Sequence, residues 1–168
     1  MGKSSNVILI LLMAASCGVK DQSADEKQRK EEATAQILAL HNLQKKYHVG
    51  KQAREFVDQF SENYVSVNRG KVNSPTKEES EKMFGNYFQS VEFEKWDDIS
   101  EPVIRFSDDY SMAYTIVEKE VVTRYEAEGE MKRESTKFSW VAIYKKYDTG
   151  WKIDCVVSTN EPGRILEN

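Results

Sequence analysis

Five segments rich in β-branched and aromatic residues follow one another in the second half of the chain, and they constrain its fold more than any other feature. Turn signals stand between several of them, at Asp108-Asp109, Glu128-Gly129 and Asp148-Thr149-Gly150. Short turns between successive strands favour antiparallel neighbours. The sequence therefore predicts an antiparallel sheet built from residues 92–96, 103–106, 111–125, 132–147 and 151–159.

Helical signals precede these strands. Apolar residues recur at helical spacing over residues 31–47, and a second helical pattern covers residues 51–61 after Gly50. A short strand is predicted at residues 64–67. The run Thr76-Lys77-Glu78-Glu79 has the capping-box pattern and predicts the start of a third helix. Helices followed by an antiparallel meander indicate an α+β fold.

The first residues indicate export and membrane attachment. An apolar run of nine residues, Val7 to Ala15, is far shorter than the roughly 20 residues that span a bilayer as a helix. Small residues precede Cys17, and the whole pattern resembles the signal peptide and lipobox of bacterial lipoproteins, which are acylated on that cysteine. An ordinary secretory signal cut after Ser16 is the alternative. We expect a lipoprotein signal peptide at residues 1–16, lipidation at Cys17 and a flexible polar tether over residues 17–30.

This pattern implies a lipid-anchored protein of the bacterial cell envelope, facing the periplasm or the surface. The formal net charge of the chain is −4 and no basic cluster occurs, which argues against nucleic acid as a partner. With Cys17 acylated, Cys155 has no cysteine to pair with, and we interpret it as a buried, unreactive residue.

The order of elements from about Glu31 to Pro162 resembles the nuclear-transport-factor-2-like superfamily, in particular its SnoaL-like branch. The features that carry the resemblance are the turn at Gly70, the capping box at Thr76, the pattern Asp109-x-x-x-Ala113 and the hairpin over residues 144–153. The resemblance implies a cone-shaped, cystatin-like α+β roll, in which a strongly curved sheet encloses N-terminal helices over residues 31–168. It also implies a pocket in the cone and homodimers formed through the sheet, but no single activity.

Strand alternation predicts which side chains face the pocket. If the loops near Gly129 and over residues 148–150 both hold three residues, odd-numbered residues of the last three long strands share the inner face, whereas a two-residue loop near Gly129 would reverse this. Under the three-residue assumption the predicted pocket lining includes His41, Thr115, Lys119, Ser139 and Cys155. The opposite face is predicted as a dimer interface because it is apolar, with Tyr114, Ile116, Phe138, Trp140 and Tyr144.

The predicted interior is poor in acid–base groups. Many active relatives in the SnoaL-like branch place His or Asp on the last strand, where this chain has Cys155, Val156, Val157 and Thr159. Lys119 is the one predicted interior charge, and its ammonium group either anchors an anion, acts as a base or reaches water at an open strand end. The two histidines, His41 and His48, lack a zinc-site pattern, and no nucleotide-binding or phosphate-binding motif occurs, so we expect neither a metal nor a cofactor.

These observations favour a protein without catalysis of its own. We expect a domain that binds a small apolar molecule or serves as a dimeric interaction module. The alternative is an isomerase or dehydratase of the SnoaL-like kind that acts on a small apolar substrate, with His41 and Lys119 as acid–base candidates. Fold analogy alone supports that alternative.

Overall fold

The structure is a computed structural model that describes the backbone of residues 17–167 and the side chains of residues 23–167. The predicted signal peptide, residues 1–16, lies outside the described residues. The chain divides into two units, Met1–Ala33 and Thr34–Asn168. Within residues 17–167, no helix combines the length and the apolar composition that a membrane span requires.

Helix α1 (Cys17–Val49) begins much earlier than the sequence analysis predicts. The sequence predicts a flexible tether over residues 17–30, but these residues are helical. Lys, Glu, Gln and Ala are strong helix formers, and i,i+4 pairs such as Lys27–Glu31 (3.9 Å) and Gln28–Glu32 (2.8 Å) add support. This first part of the helix has no apolar stripe, so hydrophobic periodicity does not reveal it.

The next elements alternate between helix and strand. Helix α2 (Ala53–Val57) is shorter than predicted because the chain from Phe60 onward joins strand β1 (Phe60–Asn68), and β2 (Lys71–Asn73) pairs with it. Helix α3 (Lys77–Ser90) begins at the predicted capping box: the Glu79 amide donates to Thr76 Oγ1 at 3.2 Å, and the Thr76 amide donates to the Glu79 carboxylate at 2.9 Å.

Six further strands complete one sheet of eight. They are β3 (Glu92–Asp98), β4 (Val103–Phe106), β5 (Met112–Ala127), β6 (Glu130–Tyr147), β7 (Gly150–Asn160) and β8 (Arg164–Ile165). The strand order is β2-β1-β7-β6-β5-β3, with β4 also on β5 and β8 on β6. Only β1 and β7 run parallel among the described pairs. The predicted α+β fold is confirmed.

The C-terminal half of α1 presents one buried face. Ile37, His41, Gln44 and His48 recur at spacings of four and three residues, and all are buried. The His48 ring contacts Phe88 of α3, with ring centres 4.7 Å apart. Burial of a side chain such as Ile37 or Phe88 contributes roughly 1.5–3 kcal/mol. These contacts fix the helices of the second unit against each other.

The register of β5 and β6 differs from the predicted one. Ala127 pairs with Glu130, so the turn holds two residues, Glu128 and Gly129, whose φ angles of 57° and 79° suit a type I′ hairpin. Pairing therefore joins Val117 to Trp140 and places odd-numbered residues of β5 on the same face as even-numbered residues of β6. The three-residue loop that the sequence analysis assumed near Gly129 is wrong.

A second shift occurs in β7. The predicted three-residue loop over residues 148–150 is also wrong, because Tyr147 pairs with Gly150 across a two-residue turn. Tyr144 pairs with Ile153, but Ile143 pairs with Cys155, so Asp154 is an extra residue in a β-bulge. Hydrogen bonds to Asp154 Oδ1 from the hydroxyls of Ser61 (2.8 Å) and Tyr147 (3.3 Å) stabilise the bulge. Beyond it the even-numbered residues of β7 face inward.

The two shorter turns and the bulge together exchange the faces of β6 and of half of β7. Phe138, Trp140 and Tyr144, predicted on the dimer face, lie on the inner face, and Tyr144 is fully buried. Tyr114 and Ile116 lie on the outer face, as predicted, and both are exposed. In β5 the inner face holds the predicted residues Ala113, Thr115, Val117, Lys119 and Val121.

Candidate functional site

A cavity of about 200 Å³ lies between the helices and the inner face of the sheet. Eight of its sixteen lining residues are Phe, Tyr or Trp, and these eight come from α2, α3 and three strands. The lining consists of Gln44, His48, Phe56, Phe60, Tyr64, Asn68, Phe84, Tyr87, Trp96, Val121, Phe138, Trp140, Ala142, Ile153, Val156 and Ser158. Concave, mostly apolar sites with a few polar groups are the usual form of small-molecule sites.

Helix α1 contributes the histidine of the cavity wall. His48 Nδ1 lies 2.7 Å from the carbonyl oxygen of Gln44, so the neutral ring donates there and carries its lone pair on Nε2. Burial lowers the pKa of His48 to about 4 despite this hydrogen bond, which acts in the opposite direction. The imidazole is therefore neutral near pH 7 and offers one acceptor nitrogen.

A second group of polar atoms in the cavity wall lies where β1 pairs with β7. Asn68 Nδ2 donates to Ser158 Oγ at 2.9 Å, and the buried Oδ1 of Asn68 has no hydrogen-bond partner. A buried acceptor without a partner costs roughly 1–3 kcal/mol, so this oxygen favours a bound donor. The Ser158 hydroxyl accepts from Asn68 and retains its own proton to donate.

The tyrosines of the lining keep their protons. Burial raises the pKa of Tyr64 to about 12, and burial together with the charge of Glu134 raises the pKa of Tyr87. With the pKa of His48 lowered, these three lining groups all titrate away from neutral pH. A general base works best when its pKa lies near the working pH. The cavity wall therefore suits binding better than proton transfer.

A charged cluster lies behind one wall of the cavity. Asp98 bridges two buried side chains: its Oδ2 lies 2.8 Å from His41 Nε2, and its Oδ1 lies 2.6 Å from Lys119 Nζ. His41 is 2% exposed and Lys119 1%. Burial lowers the pKa of Lys119, and the Asp98 carboxylate opposes that effect.

The cluster contacts the cavity wall through two tryptophan rings, of which Trp140 is the more distant, with its ring centre 5.9 Å from Lys119 Nζ. Lys119 Nζ lies 3.8 Å from the centre of the Trp96 ring, at cation–π distance, and Trp96 lines the cavity. None of His41, Asp98 and Lys119 lines it. The cluster thus holds a wall of the cavity in place without entering it.

The five predicted pocket residues separate into two groups. His41, Thr115 and Lys119 are buried on the inner side, whereas Ser139 is exposed on the outer face and Cys155 lies half-buried beside Ile143. Burial and the neighbouring Asp154 raise the pKa of the Cys155 thiol, which therefore stays protonated near pH 7. All five stand outside the cavity lining.

The lining residues that the sequence analysis missed follow from the true register. The predicted register places Trp140 and Val156 on the opposite face, and the sequence pattern places Asn68 in a turn, but all three line the cavity. Asp98 follows the predicted strand 92–96, and no local pattern connected it to His41, 57 residues earlier. Among the described residues, no group of three His, Cys, Asp or Glu side chains is placed to hold a metal ion.

Neither a protein-family model nor a curated protein sequence matches this chain. Solved structures do match it. A hexachlorocyclohexane dehydrochlorinase (LinA, type 2) gives a TM-score of 0.69 at 12% identity, covering 84% of this chain and 94% of its own. The chain has the nuclear-transport-factor-2-like fold.

Two further structures with this fold give lower scores. A ketosteroid isomerase-like protein from Erwinia carotovora atroseptica has a TM-score of 0.59 at 15% identity, covering 75% of this chain and 94% of its own. A nuclear-transport-factor-2-like protein with a cystatin-like fold from Novosphingobium aromaticivorans also has a TM-score of 0.59, at 9% identity, over 86% and 90%. The predicted resemblance is therefore confirmed at the level of the fold.

Proposed function

We propose that the aromatic cavity binds a small, flat, largely apolar molecule and performs no chemistry on it. The observation that carries this proposal is the lining itself, in which aromatic rings surround a few polar groups that titrate far from pH 7. Aromatic walls favour flat ligands because rings pack in offset or edge-to-face contact.

The volume of the cavity and the polar atoms in its wall restrict the size and the chemistry of the ligand. A volume of about 200 Å³ lies below the roughly 300–1,000 Å³ of sites for drug-sized ligands, so two fused rings are a suitable size. His48 Nε2 and Asn68 Oδ1 are acceptors, and the Ser158 hydroxyl is a donor. A hydroxyl group on the ligand would satisfy one acceptor and the donor together.

The three tryptophans provide a direct test, because two line the cavity and one does not. Trp151 lies elsewhere and donates its indole N–H to Gln36 Oε1 at 3.0 Å. Titration with 1-naphthylmethanol, followed by ¹H–¹⁵N NMR of the indole groups, should shift the signals of Trp96 and Trp140 saturably and leave that of Trp151 unchanged. Absence of saturable shifts would reject the proposal.

Proton-transfer catalysis is the second candidate, and the His41–Asp98 contact favours it. A carboxylate that holds a buried histidine is a recurring arrangement in acid–base catalysis, and a dehydrochlorinase and an isomerase-like protein share the fold. It ranks second because neither His41 nor Asp98 lines the cavity.

Carbon-acid exchange separates the two candidates. 2-Tetralone, a bicyclic ketone, exchanges its α-protons slowly in D₂O, and NMR follows that exchange. A binding protein leaves the rate at the buffer value. An enzyme of the second kind accelerates it, and Asp98→Asn abolishes the acceleration.

We also propose that the outer face of the sheet forms a homodimer. Strand pairing aligns six aliphatic residues in one row across β4, β5, β6, β7, β1 and β2. Ile116 is 47% exposed, Val157 43% and Val72 71%. The row is Val103, Ile116, Val141, Val157, Val67 and Val72. A contiguous exposed apolar surface is typical of an interface, and a second copy of the chain offers a matching one.

Lipid attachment at Cys17 completes the proposal. The supporting observation is the sequence pattern of a short apolar run and small residues before this cysteine. The protein would then act at a membrane surface in the bacterial cell envelope. Expression of the full chain and of Cys17→Ser in a bacterium, followed by detergent phase separation and mass spectrometry, tests it. Wild type should carry acyl chains and enter the detergent phase, whereas a wild-type protein without acyl mass would reject lipidation.

A further inference from the structure

A second hollow of about 230 Å³ adjoins the aromatic cavity. Tyr87, Val121 and Phe138 line both spaces, so the two adjoin at these side chains. The hollow lies between helix α3 and the ends of β5 and β6 nearest their connecting turn. Its other lining residues include the acidic Glu134 together with Tyr125 and Thr136.

Glu134 is held in place by neutral groups. Its carboxylate accepts hydrogen bonds from the hydroxyls of Tyr125 (2.8 Å) and Thr136 (3.2 Å). In the described part of the chain, no basic side chain lies within 4.0 Å of it. Lys132 projects from the same face of β6, but its Nζ contacts Glu128 at 3.3 Å. The negative charge of Glu134 is therefore oriented but not compensated.

The C-terminal segment packs closely against this carboxylate. β8 pairs beside it, with Ile165 opposite Glu134. A methyl group added at Gly163 would lie 2.2 Å from Glu134 Oε1, so only glycine leaves room for the observed position of the carboxylate. Backbone packing and two hydroxyls thus hold one charge at the edge of an apolar site.

We propose that the ligand of the aromatic cavity carries a positively charged amine, and that Glu134 with the rings of Tyr87 and Tyr125 binds it. This inference rests on the proposed binding function. A carboxylate forms charge-assisted hydrogen bonds with an ammonium group, and aromatic faces attract the same cation. The apolar part of such a ligand occupies the cavity, and the amine reaches the adjoining hollow.

Two probes that differ in one group test this inference. 1-Naphthylmethylamine is a cation at pH 7, and 1-naphthylmethanol is its neutral counterpart. Calorimetry on wild-type protein should show the amine binding about tenfold more tightly than the alcohol, with the preference reduced by added salt. Equal affinities would overturn the inference but leave the proposed function intact. Binding of neither probe would reject the proposed binding function itself, and with it this inference.

Three variants complete the test. Glu134→Gln keeps an acceptor for the Tyr125 and Thr136 hydroxyls but removes the charge, so amine and alcohol should bind equally. Gly163→Ala keeps the charge but displaces the carboxylate, and should reduce the preference in part. Glu118→Gln, at an exposed outer-face position, is the matched control and should leave the tenfold preference unchanged. A tenfold preference that survives Glu134→Gln would overturn the inference.

Discussion

The imidazole of His48 stacks on the indole of Trp96, with ring centres 4.5 Å apart and an interplanar angle of 28°. The contact joins helix α1 to strand β3 at the wall of the cavity. The same imidazole also meets Phe56 edge to face at 4.7 Å. A neutral histidine is required here, because an imidazolium would lose its hydration within this aromatic cluster.

This environment predicts a loss of stability on acidification. The pKa of His48 falls from 6.5 in the unfolded chain to about 4 in the folded one, so the unfolded state binds more protons between these pH values. The contribution of His48 is fully present above pH 6.5 and decreases as the pH falls toward 4. The expected loss is about 3 kcal/mol of the free energy of unfolding.

His48→Phe isolates this effect. Phenylalanine preserves the ring packing and loses the hydrogen bond to Gln44, which costs about 1 kcal/mol at pH 7. Urea unfolding at pH 7 and at pH 4.5 should show that the variant loses less stability on acidification than wild type. Other acidic groups titrate in both proteins and cancel in the comparison. Identical pH dependence would contradict the assignment.

The pair of Lys119 and Asp98 should couple strongly. Removing one partner of a buried ion pair leaves the other without compensation, which costs up to 3–5 kcal/mol when both are buried. Asp98 retains some exposure, so we expect about 2 kcal/mol each for Lys119→Met and Asp98→Asn. The double variant should be more stable than the sum of the single effects predicts. A double-mutant cycle by urea unfolding measures this, and additive losses would show that the pair does not couple.

The outer aliphatic row should control assembly. Ile116→Arg places a charge in the aliphatic row of the proposed dimer interface, whereas Glu118→Arg changes the next outward position of β5, where the residue is already charged. Sedimentation equilibrium at micromolar concentration should give dimers for wild type and Glu118→Arg and monomers for Ile116→Arg. A monomeric wild type would reject the proposed interface.

The fold was largely predictable because its signals are local. The capping box at Thr76 and the β-rich segments fixed the order of elements, and strict alternation in β5 identified Lys119 as an inward residue. The polar start of α1 was missed because side-chain pairs within a helix leave no apolar periodicity.

The site was less predictable because it depends on register. The turns at residues 128–129 and 148–149 each hold one residue fewer than predicted, and Asp154 is an extra residue. Together these differences exchange the faces of β6 and of the second half of β7, which places Trp140 and Val156 in the cavity lining. Turn length leaves the alternation within a strand unchanged, so the strand pattern does not reveal it, and the bulge reverses the alternation of β7 only beyond Asp154. The contact between His41 and Asp98 joins a helix to a strand end, and only the three-dimensional arrangement reveals it.

Two neighbouring valines of β7 provide the most direct test of the proposed binding site, because Val156 lines the cavity and Val157 is exposed on the outer face. Calorimetric titration of Val156→Phe and Val157→Phe with 1-naphthylmethanol compares the same substitution on opposite faces of one strand. We predict that Val156→Phe fills the cavity and weakens binding at least tenfold, while Val157→Phe binds as wild type does. Unchanged binding by Val156→Phe would contradict the assignment of this cavity as the ligand site.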